Sequence, residues 1–150
     1  MKKILLVVAV LIAGYSHFHK QSESPQFNQT ANATVIGNSS SDSQLSGAYS
    51  NHDSNIQVSG QGVVVRVLPD DNEGSRHQKF IIKLASGQTL LVAHNIDIAP
   101  RISSIREGDS VQFNGEYKWN EKDGVIHWTH RNPNGSHIAG WLKHQGQTYQ

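Results

Sequence analysis

The sequence predicts an all-β domain with a small α content, and three observations support this class. Five segments within residues 57–150 alternate apolar and polar residues with the two-residue period of half-buried strands. Gly115 falls in the middle of the fourth segment, where a glycine is typical of the sharp bends of small barrels. A short link with helical spacing precedes that segment. Together these features favour a five-stranded OB-like barrel with a short helical link before strand 4, and a small antiparallel sandwich is the alternative.

Residues 1–16 have the pattern of a signal segment. Lys2 and Lys3 precede an apolar run over residues 4–13, and positive charges before such a run are typical of export. The run is shorter than the roughly 17–25 residues of a membrane-spanning helix. Because no clean cleavage site follows, an uncleaved N-terminal anchor is the alternative. We expect a periplasmic or secreted protein, or one attached to a membrane only through residues 4–13.

Residues 17–56 are predicted to form a flexible linker. This stretch is rich in Ser, Asn and Gln and has no sustained apolar period. Such a composition buries too little apolar surface to offset the entropy lost on ordering. The folded domain is therefore predicted to occupy residues 57–150.

Each predicted strand of that domain places its apolar side chains on one face. The predicted inward residues are Val63, Val65 and Val67 in strand 62–68, Phe80, Ile82 and Leu84 in strand 79–84, Leu90 and Val92 in strand 88–94, Val111, Phe113, Tyr117 and Trp119 in strand 109–119, and Ile126 and Trp128 in strand 125–130.

Two further segments connect or follow these strands. Within residues 95–108, Ile98, Ile102 and Ile105 are spaced for one face of a short helix after Pro100. Residues 140–143 are predicted to be extended, after a turn at residues 132–135.

Composition excludes several classes of function. Thirteen Lys and Arg against 12 Asp and Glu give a net charge of +1, so no broad nucleic-acid surface is expected. The absence of Cys removes disulfides, thiolate metal sites and cysteine nucleophiles. Nucleophile-elbow, phosphate-loop and dinucleotide motifs are absent. The nine histidines are the residues that most suggest a site.

The last predicted hairpin places a glutamate beside a histidine. A four-residue loop over residues 120–123 sets a register in which Glu116 lies opposite His127 and Asn114 lies opposite Thr129. A carboxylate can orient an imidazole and raise its basicity. If the protein is an enzyme, Glu116 and His127 are its predicted catalytic residues; a surface pair of small energetic value is the alternative.

Three histidines near the C-terminus form a candidate metal set: His127, His130 and His137. Without thiolates, imidazole nitrogens would have to hold the ion, and Zn²⁺ or another divalent metal is the cofactor that such a set would take. On a continuous strand His127 and His130 would point to opposite faces, so this prediction requires the strand to end before His130. Separate hydrogen bonds for each ring are the alternative.

Four more residues are predicted to contact a ligand. His77 and Gln78 begin the second strand, His94 ends the third, and Trp141 follows a glycine near the C-terminus. Polar residues at strand ends are often functional because the sheet positions them rigidly. A structural role is the alternative for His94.

Three acidic residues are better explained without a ligand. Asp70 and Asp71 begin a loop that lacks the spacing of an EF-hand, so a turn with local hydrogen bonds is favoured over a cation site. Asp97 is expected to cap the helical link and pair with Arg101.

Several motifs occur together and resemble a family of small exported bacterial proteins of unknown function. They are Asp70-Asp71, His77-Gln78, His94-Asn95-Ile96-Asp97-x-Ala99-Pro100-Arg101, Gly115-Glu116-Tyr117-x-Trp119 and His127-Trp128-Thr129-His130. The resemblance covers most of residues 57–150 and implies export and domain limits, but no chemistry.

The sequence therefore predicts an exported binding module. Its site would be lined by histidines with Glu116 and Trp141, and its partner would be a small polar or anionic ligand or a metal ion. A metal-assisted hydrolase acting on phosphodiesters or glycans is one alternative. A protein-interaction domain with structural histidines is the other.

Overall fold

The computed structural model describes residues 29–150. The predicted signal segment and residues 17–28 of the predicted linker lie outside this range. One helix and seven strands follow in order: α1 (Gln29–Asn51), β1 (Ile56–Val67), β2 (His77–Lys83), β3 (Thr89–Asn95), β4 (Ser110–Lys118), β5 (Val125–His127), β6 (Trp141–His144) and β7 (Gln147–Tyr149). Within this range, no helix has the length and apolar character needed to cross a membrane.

Strands β1 to β5 close into a barrel. β1 pairs antiparallel with β2 along its C-terminal half and with β4 along its N-terminal half. β2 pairs antiparallel with β3, β3 pairs parallel with β5, and β5 pairs antiparallel with β4. The strand order β1-β2-β3-β5-β4, with β4 returning to β1, confirms the predicted five-stranded OB-like barrel. The sandwich alternative is wrong.

A C-terminal hairpin extends the sheet beyond the barrel. β6 pairs with the N-terminal half of β4, and β7 pairs with β6. The two residues that join them, Gln145 and Gly146, both have positive φ, at 49° and 79°, as a tight hairpin turn requires. The predicted extended conformation of residues 140–143 is confirmed for Trp141–His144.

The core lies inside the barrel and is built from the inward faces of the strands. The predicted faces of β2, β3 and β4 are confirmed, because their apolar residues are buried. Trp119 is half-buried and packs against the same core. The predicted inward residues that are fully buried in or next to these strands are Phe80, Ile82, Leu84, Leu90, Val92, Val111, Phe113 and Tyr117.

The predicted inward face of β1 is wrong. Val63, Val65 and Val67 are exposed, at 47%, 42% and 36%, whereas Val58 and Val64 are buried. Gly60 and Gly62 take the other inward positions, where a Cβ would meet the ring of Phe113 and the side chain of Ile82. A bulge between Val64 and Arg66 then shifts the register with β2. Alternation alone misassigned the face because glycines occupy half of the inward positions.

Two other local predictions are wrong. Asn95 ends β3, and residues 96–108 form turns and irregular structure rather than a helix. Ile102 and Ile105 are buried, but Ile98 is 51% exposed. The fifth strand ends at His127 instead of His130, because Trp128 has a φ of 50° that breaks the extended chain. Trp128 therefore does not point into the core, and Asn114 pairs with Ser59 and Trp141 rather than with Thr129.

Residues 29–51 correct the predicted linker, because they form α1. One narrow stripe of the helix faces the barrel: Asp42, Leu45 and Ala48 are buried at a spacing of three. The Asp42 carboxylate accepts a hydrogen bond of 2.9 Å from the backbone N–H of Ser86, in the turn between β2 and β3. The other side chains of residues 39–51 are mostly polar, which explains why no apolar period was visible there.

Candidate functional site

The candidate site lies where the chain leaves β5. A positive φ is uncommon for a bulky residue such as Trp128, and strained backbone is frequent at functional positions. The chain then forms a loop over residues 128–140 that returns to β4, where the N–H of Gly140 donates to the carbonyl of His130 at 2.8 Å. A Cβ on Gly140 would collide with the carbonyl oxygens of Trp128 and Asn114. The absence of a side chain there allows the loop to close.

Four aromatic rings meet at this loop, and we call His127, Trp128, His130 and His137 the ring cluster. The Trp128 ring is stacked between two imidazoles, with centroid distances of 4.8 Å to His127 and 4.5 Å to His137. His130 meets His137 edge to face, at 5.0 Å. The Trp128 ring therefore already stacks with two imidazoles of the same chain.

The predicted pairing of Glu116 with His127 is confirmed in the ladder between β4 and β5. The His127 Nε2 lies 3.3 Å from the Glu116 Oε1, and both side chains are partly exposed. Burial lowers the pKa of His127, and the carboxylate of Glu116 offsets this only in part. At neutral pH the pair is therefore a neutral imidazole that donates to a carboxylate.

Three imidazoles are oriented by backbone carbonyls. The Nδ1 of His77 lies 2.7 Å from the oxygen of Ser75, that of His130 lies 2.7 Å from the oxygen of Arg131, and that of His137 lies 2.7 Å from the oxygen of Ile138. A carbonyl oxygen only accepts, so each Nδ1 carries the proton and each neutral ring has its lone pair on Nε2. In the described part of the chain, no group hydrogen-bonds to these three Nε2 atoms.

The environment keeps His130 uncharged. Burial lowers the pKa of His130, and positive charge on His137 or His77 would lower it further. The His130 ring therefore presents an acceptor nitrogen at neutral pH.

Two predicted ligand contacts, Gln78 and His94, already have partners inside the domain. The buried amide of Gln78 donates to the carbonyl of Ile102 and accepts from the N–H of the same residue, both at 2.9 Å. His94 is also buried, with Nδ1 2.8 Å from the Thr129 hydroxyl and Nε2 3.1 Å from the Pro100 carbonyl. Burial lowers the pKa of His94 from 6.5 to about 4. We interpret both side chains as structural.

The fourth predicted ligand contact, Trp141, is placed apart from the rings of the cluster. It lies on β6, and the ammonium group of Lys143 sits 4.7 Å from its ring centroid. The Trp141 ring therefore contacts Lys143 of the same strand rather than a histidine.

The aspartates of the two loops near His77 form ion pairs or local hydrogen bonds. Asp97 pairs with Arg76 at 2.7 Å, and Arg101 pairs with Asp70 at 2.9 Å, so the predicted Asp97–Arg101 pair is wrong. Asp71 accepts from the N–H of Glu73, as a turn predicts. These contacts fix the loop that precedes His77.

The three histidines of the predicted metal set, His127, His130 and His137, are not arranged around a common metal position. Trp128 separates His127 from His137, and the Nε2 of His127 faces Glu116. Among residues 29–150, no group of three or more His, Asp or Glu side chains is arranged to hold an ion. Sequence reasoning missed the carbonyls of Ser75, Arg131 and Ile138, because a backbone group that orients a ring leaves no sequence signal.

Comparison with known proteins gives a family but no activity. Residues 29–150 match the family described as "Protein of unknown function (DUF3465)", which confirms the predicted resemblance and extends it across α1. No curated protein matches the chain. Since the match spans well over half of the sequence, the chain belongs to the DUF3465 family of proteins of unknown function.

Proposed function

We propose that this protein is an exported binding module whose ligand contacts the ring cluster and His77. The observation that carries the proposal is the set of three Nε2 atoms that lack hydrogen-bond partners among the described residues. None of the three Nε2 atoms is among the buried unpaired side-chain atoms of the described residues, so each is open to a partner from solution. Three acceptors held in fixed orientations, two of them on rings in edge-to-face contact, favour a ligand.

The protonation state of the rings narrows the ligand class. A neutral imidazole with its proton on Nδ1 offers an electron pair at Nε2. It therefore favours a ligand that donates hydrogen bonds or a cation that accepts electron pairs. An anion would require protonated rings, which the lowered pKa of His130 disfavours at neutral pH.

Export is supported only by the N-terminal sequence. Lys2 and Lys3 before the apolar run of residues 4–13 are typical of a signal segment. An N-terminal anchor through the same residues is the alternative.

Fluorescence of Trp128 tests the binding proposal. The substitutions Trp119→Phe and Trp141→Phe leave Trp128 as the sole tryptophan, stacked between two imidazoles. Zinc chloride, glucose and sodium phosphate are titrated separately at pH 7.5. We expect zinc chloride or glucose to change the emission saturably and sodium phosphate to leave it unchanged. His137→Ala should abolish the change and His52→Ala should preserve it. No saturable change with any of the three would overturn the proposal.

The pair of Glu116 with His127 favours a metal-assisted hydrolase as a second candidate. A partly exposed carboxylate at the edge of the ring cluster is a suitable general base toward water. Hydrolysis of bis(p-nitrophenyl) phosphate with zinc chloride tests this candidate. Activity that Glu116→Gln lowers by about 10²-fold or more would support it, and the absence of hydrolysis would exclude phosphodiesters as substrates.

A further inference from the structure

The outer surface of the sheet around β4 carries an ordered array of uncharged polar side chains. Residues paired across a ladder lie on the same face, so the registers of β4 with β1 and β6 define which side chains share this surface. Six of them, all exposed or partly exposed, are named the amide face: Gln57, Ser59, Gln61, Ser110, Gln112 and Asn114. Because Asn is depleted from strands, backbone preference does not explain Asn114 at its centre.

Hydrogen bonds between these side chains fix their orientations. The Gln57 amide donates to the Asn114 side-chain oxygen at 2.6 Å, and the Asn114 amide donates to the Ser59 hydroxyl at 2.6 Å. A second relay starts at Gln112 and runs through the remaining two members of the face, at 3.3 and 2.8 Å. A primary amide carries two N–H groups and an oxygen with two lone pairs. Each relay therefore holds its amides in place and leaves one N–H of each amide for a ligand.

Strand β6 adds an aromatic ring to the amide face. Trp141 pairs with Asn114, and Lys143 pairs with Gln112. The ammonium group of Lys143 lies 4.7 Å from the Trp141 ring centroid, and an exposed contact of this kind is weak, so a ligand can displace it. A recess of about 180 Å³ lies between the amide face, Lys143 and the turn that joins β6 to β7.

The charge of this surface disfavours nucleic acid. In the outward rows that join β1, β4 and β6 within the described ladders, Lys143 is the one cation and Glu116 the one carboxylate, whereas binding to phosphate backbones uses several cations. Sugar hydroxyls both donate and accept hydrogen bonds, as amides do, and the C–H face of a sugar ring packs on an aromatic ring. Outward positions recur along β4 about every 7 Å, a repeat that suits a chain of sugars.

We propose that the amide face and Trp141 bind an extended, uncharged glycan. The amides hydrogen-bond the hydroxyls of successive sugars, and Trp141 packs against the face of one sugar ring. The relays make this surface effective, because side chains that are already oriented lose little freedom on binding. This site goes beyond the proposed binding function, since none of its residues belongs to the ring cluster.

Calorimetric titration of the full chain with cellohexaose and with chitohexaose, two uncharged glycans with extended chains, tests the assignment. Maltohexaose, whose linkages coil the chain, is the comparison. We expect an extended glycan to bind at least about tenfold more tightly than maltohexaose, and Trp141→Ala and Gln112→Ala each to lower its affinity by about tenfold or more. Gln44→Ala, at an exposed amide of α1, and His137→Ala in the ring cluster are the controls and should bind as the unsubstituted chain does.

The contradicting outcomes are distinct. No binding of either extended glycan, or equally tight binding of maltohexaose, would overturn the proposal. Affinity that persists in both Trp141→Ala and Gln112→Ala but is lost in His137→Ala would overturn this site and place the sugar at the ring cluster. Binding of a single-stranded oligothymidine instead of glycans would assign the face to nucleic acid. Because Trp141 is half-buried, its variant is judged only after its ¹H–¹⁵N spectrum shows a folded chain, and the exposed Gln112 carries the test otherwise.

Discussion

His94 shows how a histidine can be essential to the fold without contacting a ligand. Its ring is buried between the Thr129 hydroxyl and the Pro100 carbonyl. These bonds join the end of β3 to the segment after β5 and to the link before β4. Because burial lowers its pKa from 6.5 to about 4, the folded protein holds this ring neutral.

The stability of the domain should therefore fall in mild acid. Between pH 6.5 and about 4 the unfolded chain protonates His94 and the folded chain does not, so protons favour unfolding. At about 1.4 kcal/mol per pH unit, the loss attributable to His94 between pH 6.5 and pH 5 is about 2 kcal/mol. Urea unfolding at the two pH values measures it, and His94→Asn should show a smaller drop than the unsubstituted chain. Equal drops would contradict the assignment.

Individual residue pairs were predicted correctly where the alternation of inward and outward positions along the strands was sufficient. The predicted inward residues have odd numbers in β4 and even numbers in β5, so the numbers of two residues paired across these strands must sum to an odd value. This rule predicted that Glu116 lies opposite His127, as the structure shows. The parity argument failed beyond His127, because the positive φ of Trp128 ends the strand. The orientation of His77, His130 and His137 depends on backbone carbonyls, which every residue carries, and was not predictable.

At the scale of elements, the loop over residues 128–140 depends on close backbone approach at Gly140. A Cβ at this position would meet two carbonyl oxygens and the Cα of Thr129, and none of these can rotate away. Overpacking of this kind typically costs about 1–3 kcal/mol.

Gly140→Ala should therefore lower the free energy of unfolding by at least about 1–3 kcal/mol and weaken ligand binding at the ring cluster. Chemical denaturation measures the first effect and Trp128 fluorescence the second. Gly47→Ala is the matched control, because a Cβ at this helical position meets nothing within 4 Å. That control should leave binding unchanged and raise stability by about 0.5–1 kcal/mol. A stable Gly140→Ala variant would show that the loop does not need this contact.

The inward face of a strand was predicted correctly where large side chains, rather than glycines, occupy most of its inward positions. β2, β3 and β4 were predicted correctly because most of their inward positions carry large apolar side chains. β1 was misassigned because Gly60 and Gly62 fill inward positions while valines point outward. The link before β4 has helical spacing, but the Gln78 amide holds the backbone of Ile102 in a turn.

At the scale of the whole molecule, the domain consists of a barrel, a C-terminal hairpin and a helix that packs against β1 and the β2–β3 turn. The sequence predicted the barrel. It predicted an extended segment where the C-terminal hairpin begins, and it did not predict the helix. Leu45 is fully buried within a helix in which half of the other positions are Ser, Asn or Gly. A single contact stripe of three residues is too short to produce a recognisable period.

Leu45→Ala should destabilise the entire domain if α1 is part of its core. Truncation of a fully buried leucine typically costs about 2–5 kcal/mol. Gln44→Ala, at the exposed neighbouring position, should change stability by less than about 0.5 kcal/mol. Thermal unfolding followed by circular dichroism compares the two. A Leu45→Ala variant as stable as the control would mean that the helix does not contribute to the fold.

The claim that oriented imidazoles form a binding site is tested most directly by long-range ¹H–¹⁵N NMR of the histidine rings at pH 7.5. The account predicts that His77, His130 and His137 each carry a proton on Nδ1, and that zinc chloride shifts their Nε2 signals while those of His94 stay in place. Rings with the proton on Nε2, or Nε2 signals that no probe moves, would contradict it.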